Sequence, residues 1–244
     1  LGGQNMKKLL VLLMVVALSA SIFVGCSSSD DSNSNEIKTD VLVIGGGDGG
    51  SVRELTRYPS IESIDMVEID ESVVRACQKY FPITTTGLTD PRVSLRFEDG
   101  LAYVKNTEKI YDLIIVDSTD PVGPGEGLFS MEFYQNCHRI LSEEGILINQ
   151  HESPYFEKES NEMKRAHKKI KSLFEIAEVY QAFIPTYPSG HWLFGFASKK
   201  YHPLVDFKKP YIHEIGYDTK YYNEALHKGC FALPNYVRKQ LEKV

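Results

Sequence analysis

Five acids in the first half of the chain have the types and spacing to hold a positively charged ligand: Asp48, Glu68, Asp99, Asp117 and Asp120. Asp48 lies in Gly45-Gly46-Gly47-Asp48-Gly49-Gly50, directly after the apolar run Val41–Ile44. A glycine turn between strand and helix lets a ligand approach the backbone at the positive end of the helix, which makes Gly46 and Gly47 candidate ligand contacts. The carboxylate inside that turn repels a phosphate, so the usual pyrophosphate cradle does not fit. Glu68 ends the next apolar run, twenty residues beyond Asp48. That is the place for an acid that accepts both hydroxyls of a ribose. Asp99-Gly100 closes a third run, where a carboxylate can accept from an adenine amino group. Asp117-Ser118-Thr119-Asp120-Pro121 closes a fourth, with Pro124 just behind.

Any one of these acids reads equally as a helix N-cap or a turn residue. Five on one rim are harder to explain that way. At an effective dielectric of about 20, two like charges 4 Å apart repel by roughly 4 kcal/mol. The crowding is tolerable where the ligand is cationic, such as a sulfonium nucleoside with an amine. No histidine or cysteine joins the acids at ligand spacing, so no metal ligand is assigned.

The elements that must carry these residues alternate. Strands are read at 40–44, 64–69, 93–97, 111–116 and 145–149, with the very apolar Tyr111–Val116 run as the central one. Helices are read at 52–58, 71–81, 101–105, 131–141 and 159–174. In the last of these, Lys164, Arg165, Lys168, Lys169 and Lys171 read as a solvated face. Two further strands, 176–184 and 192–198, precede a helical tail from Tyr221. This is an α/β pattern: a doubly wound, mostly parallel sheet with helices on both faces. Ligands of such sheets sit beyond the carboxyl ends of the strands, where the acids collect.

Composition agrees with a globular domain: 244 residues, 42% apolar, 25% charged. A formal charge of −6 gives no basic excess for a nucleic acid. The N-terminus is a different kind of segment. Lys7 and Lys8 precede an apolar run to Val24, then Gly25-Cys26 and a Ser/Asp/Asn-rich stretch. Residues 1–26 resemble a lipoprotein signal with Cys26 as the lipid anchor, 27–38 a polar tether, and 39–244 the catalytic domain. That start suggests membrane association. Cys77, Cys137 and Cys230 read as buried free thiols.

The strings VLVIGGGDGG (41–50), VEID (67–70), Asp99-Gly100, VDSTDPVGPGEGLF (116–129), IPTYPSG (184–190) and FALPNYVRKQL (231–241) together resemble the spermidine synthases, the polyamine aminopropyltransferases. The resemblance implies a Rossmann-like sheet of methyltransferase type, decarboxylated S-adenosylmethionine as cosubstrate, with no tightly bound cofactor, and putrescine as acceptor. It implies that Glu68 binds the ribose, that Asp99 and Gly100 bind the adenine, and that Pro124 lines the nucleoside pocket. It implies that Asp117 accepts the proton, that Asp48 and Asp120 hold the amine, and that Gln150 and Tyr187 contact or position it. It also implies a cytoplasmic homo-oligomer, at odds with the signal-like start. The family's small β-rich domain ahead of the glycine turn has no counterpart in this sequence. Two alternatives stay open: an S-adenosylmethionine-dependent amine N-methyltransferase, and a module that binds polyamine or nucleoside without turnover.

Overall fold

The computed structural model describes residues 38–207 and 219–244. The signal-like segment with Cys26, and all of the tether except Lys38, lie outside the described residues. Seven strands form one sheet in the order β3-β2-β1-β4-β5-β7-β6. They are β1 (Thr39–Gly45), β2 (Ile61–Glu68), β3 (Val93–Phe97), β4 (Tyr111–Asp117), β5 (Leu141–Glu152), β6 (Ile176–Phe183) and β7 (His191–Ser198). The first five are mutually parallel. β7 runs antiparallel between β5 and β6.

Both faces of the sheet are covered. Val41, Val43, Leu113, Ile115, Ile146 and Ile148 point into one apolar cluster. Their neighbours Leu42, Ile44, Ile114, Val116 and Leu147 point into another, with Phe133, Tyr134 and Cys137 from a helix. Alternate residues of one strand entering opposite cores explains why these runs are apolar throughout rather than alternating. β4 is the middle strand of the seven. Cys77, Cys137 and Cys230 are buried free thiols.

The helices are α1 (Gly50–Leu55), α2 (Glu71–Tyr80), α3 (Gly100–Asn106), α4 (Met131–Ile140), α5 (Glu157–Lys171), α6 (Glu224–Cys230) and α7 (Asn235–Leu241). Caps set several starts: Asp70 accepts from Ser72 N at 2.9 Å, Ser130 from Phe133 N at 3.1 Å, and Asn223 from Leu226 N at 2.8 Å. Val237 of α7 packs with Met163, Val179 and Leu193, closing the tail over the β6–β7 end of the sheet. Among the described residues no helix is long and apolar enough to cross a membrane.

Three elements depart from the sequence reading. α1 begins at Gly50, inside the glycine turn, because the turn itself is the helix entrance. β5 is twelve residues long and carries on through Gln150, His151 and Glu152, which are too polar to read as strand. Lys169 is not on the solvated face of α5, because its Nζ donates to the Phe129 carbonyl at 2.7 Å.

Candidate active site

The glycine turn is shaped by the protein's own acids. Gly45 and Gly46 have φ of 81° and 70°, in the left-handed region that side chains avoid. A Cβ at Gly45 would lie 2.3 Å from the Asp117 carbonyl oxygen, and one at Gly46 would lie 2.9 Å from Asp117 Oδ2. The Gly46 N–H donates to the Asp117 carbonyl at 3.0 Å. The Gly47 N–H donates to Glu68 Oε2 at 3.0 Å, where a Cβ would stand 2.8 Å away. Gly46 and Gly47 thus admit the carboxylates of Asp117 and Glu68 to the backbone, and these carboxylates in turn face the ligand space.

Three acids also cap or brace the backbone. Asp48 Oδ1 accepts from Gly50 N at 3.0 Å, Glu68 Oε1 from Asp70 N at 3.0 Å, and Asp99 from Leu101 N at 2.9 Å. The capping role expected of a lone acid and a place on the rim coexist. Glu68, Asp99, Gly100, Asp117 and Pro124 line one cleft, with Val67, Ile69 and Leu128 supplying apolar walls. Its volume is about 500 Å³ out to the open mouth. Ser118, Thr119 and Gly125, which the sequence reading did not select, also line it. An apolar slot with carboxylates at two ends suits a nucleoside: the base between aliphatic side chains, the ribose hydroxyls donating to Glu68.

A second group of acids meets at Asp117. β6 runs parallel to β5, so the β6–β7 turn comes back to the same rim and brings Tyr187 with it. The turn is closed by Ile184 N donating to Gly190 O at 2.8 Å and by Tyr187 N donating to Ile184 O at 2.9 Å. The Tyr187 ring packs edge-on against Trp192 at 4.5 Å between centroids. Burial raises the Tyr187 hydroxyl above its ordinary pKa, and the negative charges of Asp117, Asp120, Glu152 and Asp48 raise it further. Those four carboxylates therefore converge on one phenol. Gln150, which the resemblance implies contacts or positions the amine, donates from its Nε2 to the Ser118 carbonyl at 3.0 Å, tying β5 to the loop after β4.

Glu152 is the residue the sequence reading missed. It is 2% exposed, with φ of 74°, and its Oε1 makes no hydrogen bond among the described residues. Burial pushes its carboxyl up to about 8, helped by the charges of Asp120, Glu159 and Glu162. The signal was available, because an acid at the carboxyl end of a fifth strand continues the pattern of the first four. Beyond it, Ser153 Oγ lies 3.0 Å from Ser189 Oγ, pinning the end of β5 to the turn that carries Tyr187.

A mainly parallel sheet carries a half-apolar cleft at its strand ends, and Asp117 of that cleft also acts by its charge on Tyr187. Comparison with known proteins makes this specific. The family model for the spermine/spermidine synthase domain matches residues 28–209. The polyamine aminopropyltransferase of Clostridium perfringens is 67% identical over 205 residues, covering 84% of this chain and 72% of that protein. That of Alkaliphilus oremlandii is 64% identical over 203 residues, covering 83% and 72%. Among solved structures, a spermidine synthase in complex with the transition-state analogue AdoDATO superposes with a TM-score of 0.81 at 40% identity, covering 85% of this chain and 71% of that one. The spermidine synthase of Thermotoga maritima gives 0.78 at 38% identity, covering 85% and 69%. The chain belongs to the spermine/spermidine synthase family, and its activity is that of a polyamine aminopropyltransferase.

Proposed function

We propose that the cleft binds decarboxylated S-adenosylmethionine and that the adjoining pocket binds putrescine, giving spermidine and methylthioadenosine. The observation that carries this reading is that Asp117 lines the cleft and also acts by its charge on Tyr187. A donor carbon beside the sulfonium and an acceptor nitrogen both lie within reach of that one carboxylate. The similarity to a spermidine synthase solved in complex with a transition-state analogue, AdoDATO, supports this reading.

The chemistry needs a neutral amine. An alkylammonium with pKa near 10.4 must lose about 3.4 units at pH 7, roughly 4.6 kcal/mol. Asp117 accepts that proton as the nitrogen attacks the methylene carbon, the carbon–sulfur bond breaks and the electron pair returns to sulfur. The Tyr187 hydroxyl, kept protonated by its surroundings, orients the nitrogen. The far ammonium stays charged and is held by Asp120 and Glu152, while Asp48 adds negative charge beside the glycine turn. Alignment of two bound reactants contributes much of the remaining acceleration.

The test is turnover by the purified chain with decarboxylated S-adenosylmethionine and a panel of diamines, reading methylthioadenosine and the new polyamine. Release of methylthioadenosine with putrescine is expected. Preference for S-adenosylmethionine, with a methylated amine as product, would replace this reading by the methyltransferase one.

A further inference from the structure

β5 and β7 pair antiparallel with one break in register. Gln150 stands opposite Phe194 and Glu152 opposite Leu193, so His151 is an extra residue. That is a β-bulge, a device that re-aims the side chain beside it. Here the residue beside it is Glu152, and its φ of 74° is a conformation that non-glycine residues seldom adopt.

The packing around His151 explains how this backbone is held. The imidazole is fully buried. Its Nδ1 lies 3.1 Å from Asn149 Nδ2, and the His167 ring of α5 meets it edge-on at 6.0 Å. On the other side it fills the space where a β7 side chain would stand. A Cβ at residue 195 would lie 2.3 Å from His151 Cε1 and 2.5 Å from Asn149 Oδ1, and the residue there is Gly195. Glycine inside a buried strand weakens the strand and marks a close approach of another group. Leu193 and Ala197, its neighbours on the same face of β7, keep buried side chains, so the gap in that row is a single position wide. His151 Nε2 makes no hydrogen bond among the described residues, so beyond the Nδ1 contact with Asn149 the ring acts through its shape. Burial keeps both imidazoles neutral, His151 at about 3 and His167 at about 4.

We propose that His151, seated in the space left by Gly195, is a positioning residue: the fit fixes the bulge that turns the Glu152 carboxylate toward Asp120 and the far ammonium of the acceptor amine. This rests on the reading of Glu152 as an ammonium ligand, and the experiment separates the two. Gly195→Ala and His151→Ala are each expected to raise the amine KM about tenfold or more, with the nucleoside KM within about twofold of the unsubstituted enzyme. His151→Phe keeps a ring of similar breadth and is expected to restore the amine KM to within about threefold. Thermal melts establish that each variant is folded. A tenfold rise in His151→Phe would overturn the shape argument even if both alanine variants failed to fold. So would folded alanine variants with unchanged amine KM, or with both KM values raised alike. Glu152→Gln is measured alongside. If it leaves the amine KM unchanged, the ligand reading falls. If it raises the KM while folded Gly195→Ala and His151→Ala do not, the positioning inference alone falls.

Discussion

The Gly47 amide donates to Glu68 Oε2 at 3.0 Å, so the glycine turn and the acid read as a ribose ligand are one hydrogen-bonded unit. The other Glu68 oxygen takes the Asp70 amide, which leaves the carboxylate fixed in direction before any nucleoside arrives. Glu68→Gln keeps the shape but loses the charge and one acceptor. A hydrogen bond to a charged group contributes about 1.5–3 kcal/mol, so affinity for methylthioadenosine should fall roughly 10- to 150-fold. Titration calorimetry reads this directly, and the amine KM should move little.

Asp117→Asn tests the shared wall. The amide preserves the contacts of the Asp117 backbone carbonyl with the glycine turn but removes the proton acceptor. Loss of a general base costs about 10²- to 10⁴-fold in turnover. Methylthioadenosine binding should remain within a few-fold, as measured by the same titration. Equal turnover would remove Asp117 from the proton transfer.

Glu152 gives a pH-dependent prediction. With its carboxyl near 8, the empty site holds a proton at pH 7, and an arriving ammonium displaces it. Diamine binding at pH 7 should release about one proton more in the unsubstituted enzyme than in Glu152→Gln, read from binding enthalpies in buffers of different ionisation heat.

The same group bears on stability, with a definite sign. Its folded pKa lies above the unfolded one, so its stabilising effect is complete below the ordinary glutamate range and is lost as pH rises through about 8. Glu152→Gln should therefore melt higher than the unsubstituted protein at pH 9, by ~2–4 °C for each kcal/mol recovered, while binding amine less well.

Asp65 behaves in the opposite sense and lies away from the chemistry. Burial works to raise its pKa, but hydrogen bonds from Lys109 Nζ at 2.8 Å and Tyr111 OH at 2.9 Å, with the positive charges of Lys109 and Arg96, hold it below the ordinary range. Its contribution is present above the unfolded aspartate pKa and lost as pH falls through the folded one. Asp65→Asn should lower stability at pH 7 by about 1–3 kcal/mol in urea unfolding, narrow the gap at low pH, and leave kcat at 25 °C unchanged.

What the sequence made legible follows from what is local. Val41–Ile44 and Tyr111–Val116 are apolar on both faces because both faces are covered, and the acids after them sit at strand ends fixed by chain direction. Residues 150–152 escaped because their strand character comes from pairing with β7, about forty residues away in sequence, and because their polar side chains are buried by tertiary contacts that no local window contains. The bulge at His151 depends on Gly195, a coupling no window of sequence contains. The hydrogen bond from Gln150 to the Ser118 carbonyl joins residues 32 apart in sequence, so it is a matter of tertiary distance.

The reversed direction of β7 has a consequence for how such an enzyme can diversify. In the function proposed above, donor recognition is drawn from the parallel strands β1 to β4, while acceptor recognition leans on the far edge, where β5 ends and the β6–β7 turn folds over. Substitutions in that edge can retune which amine is chosen without disturbing the machinery that handles the sulfonium.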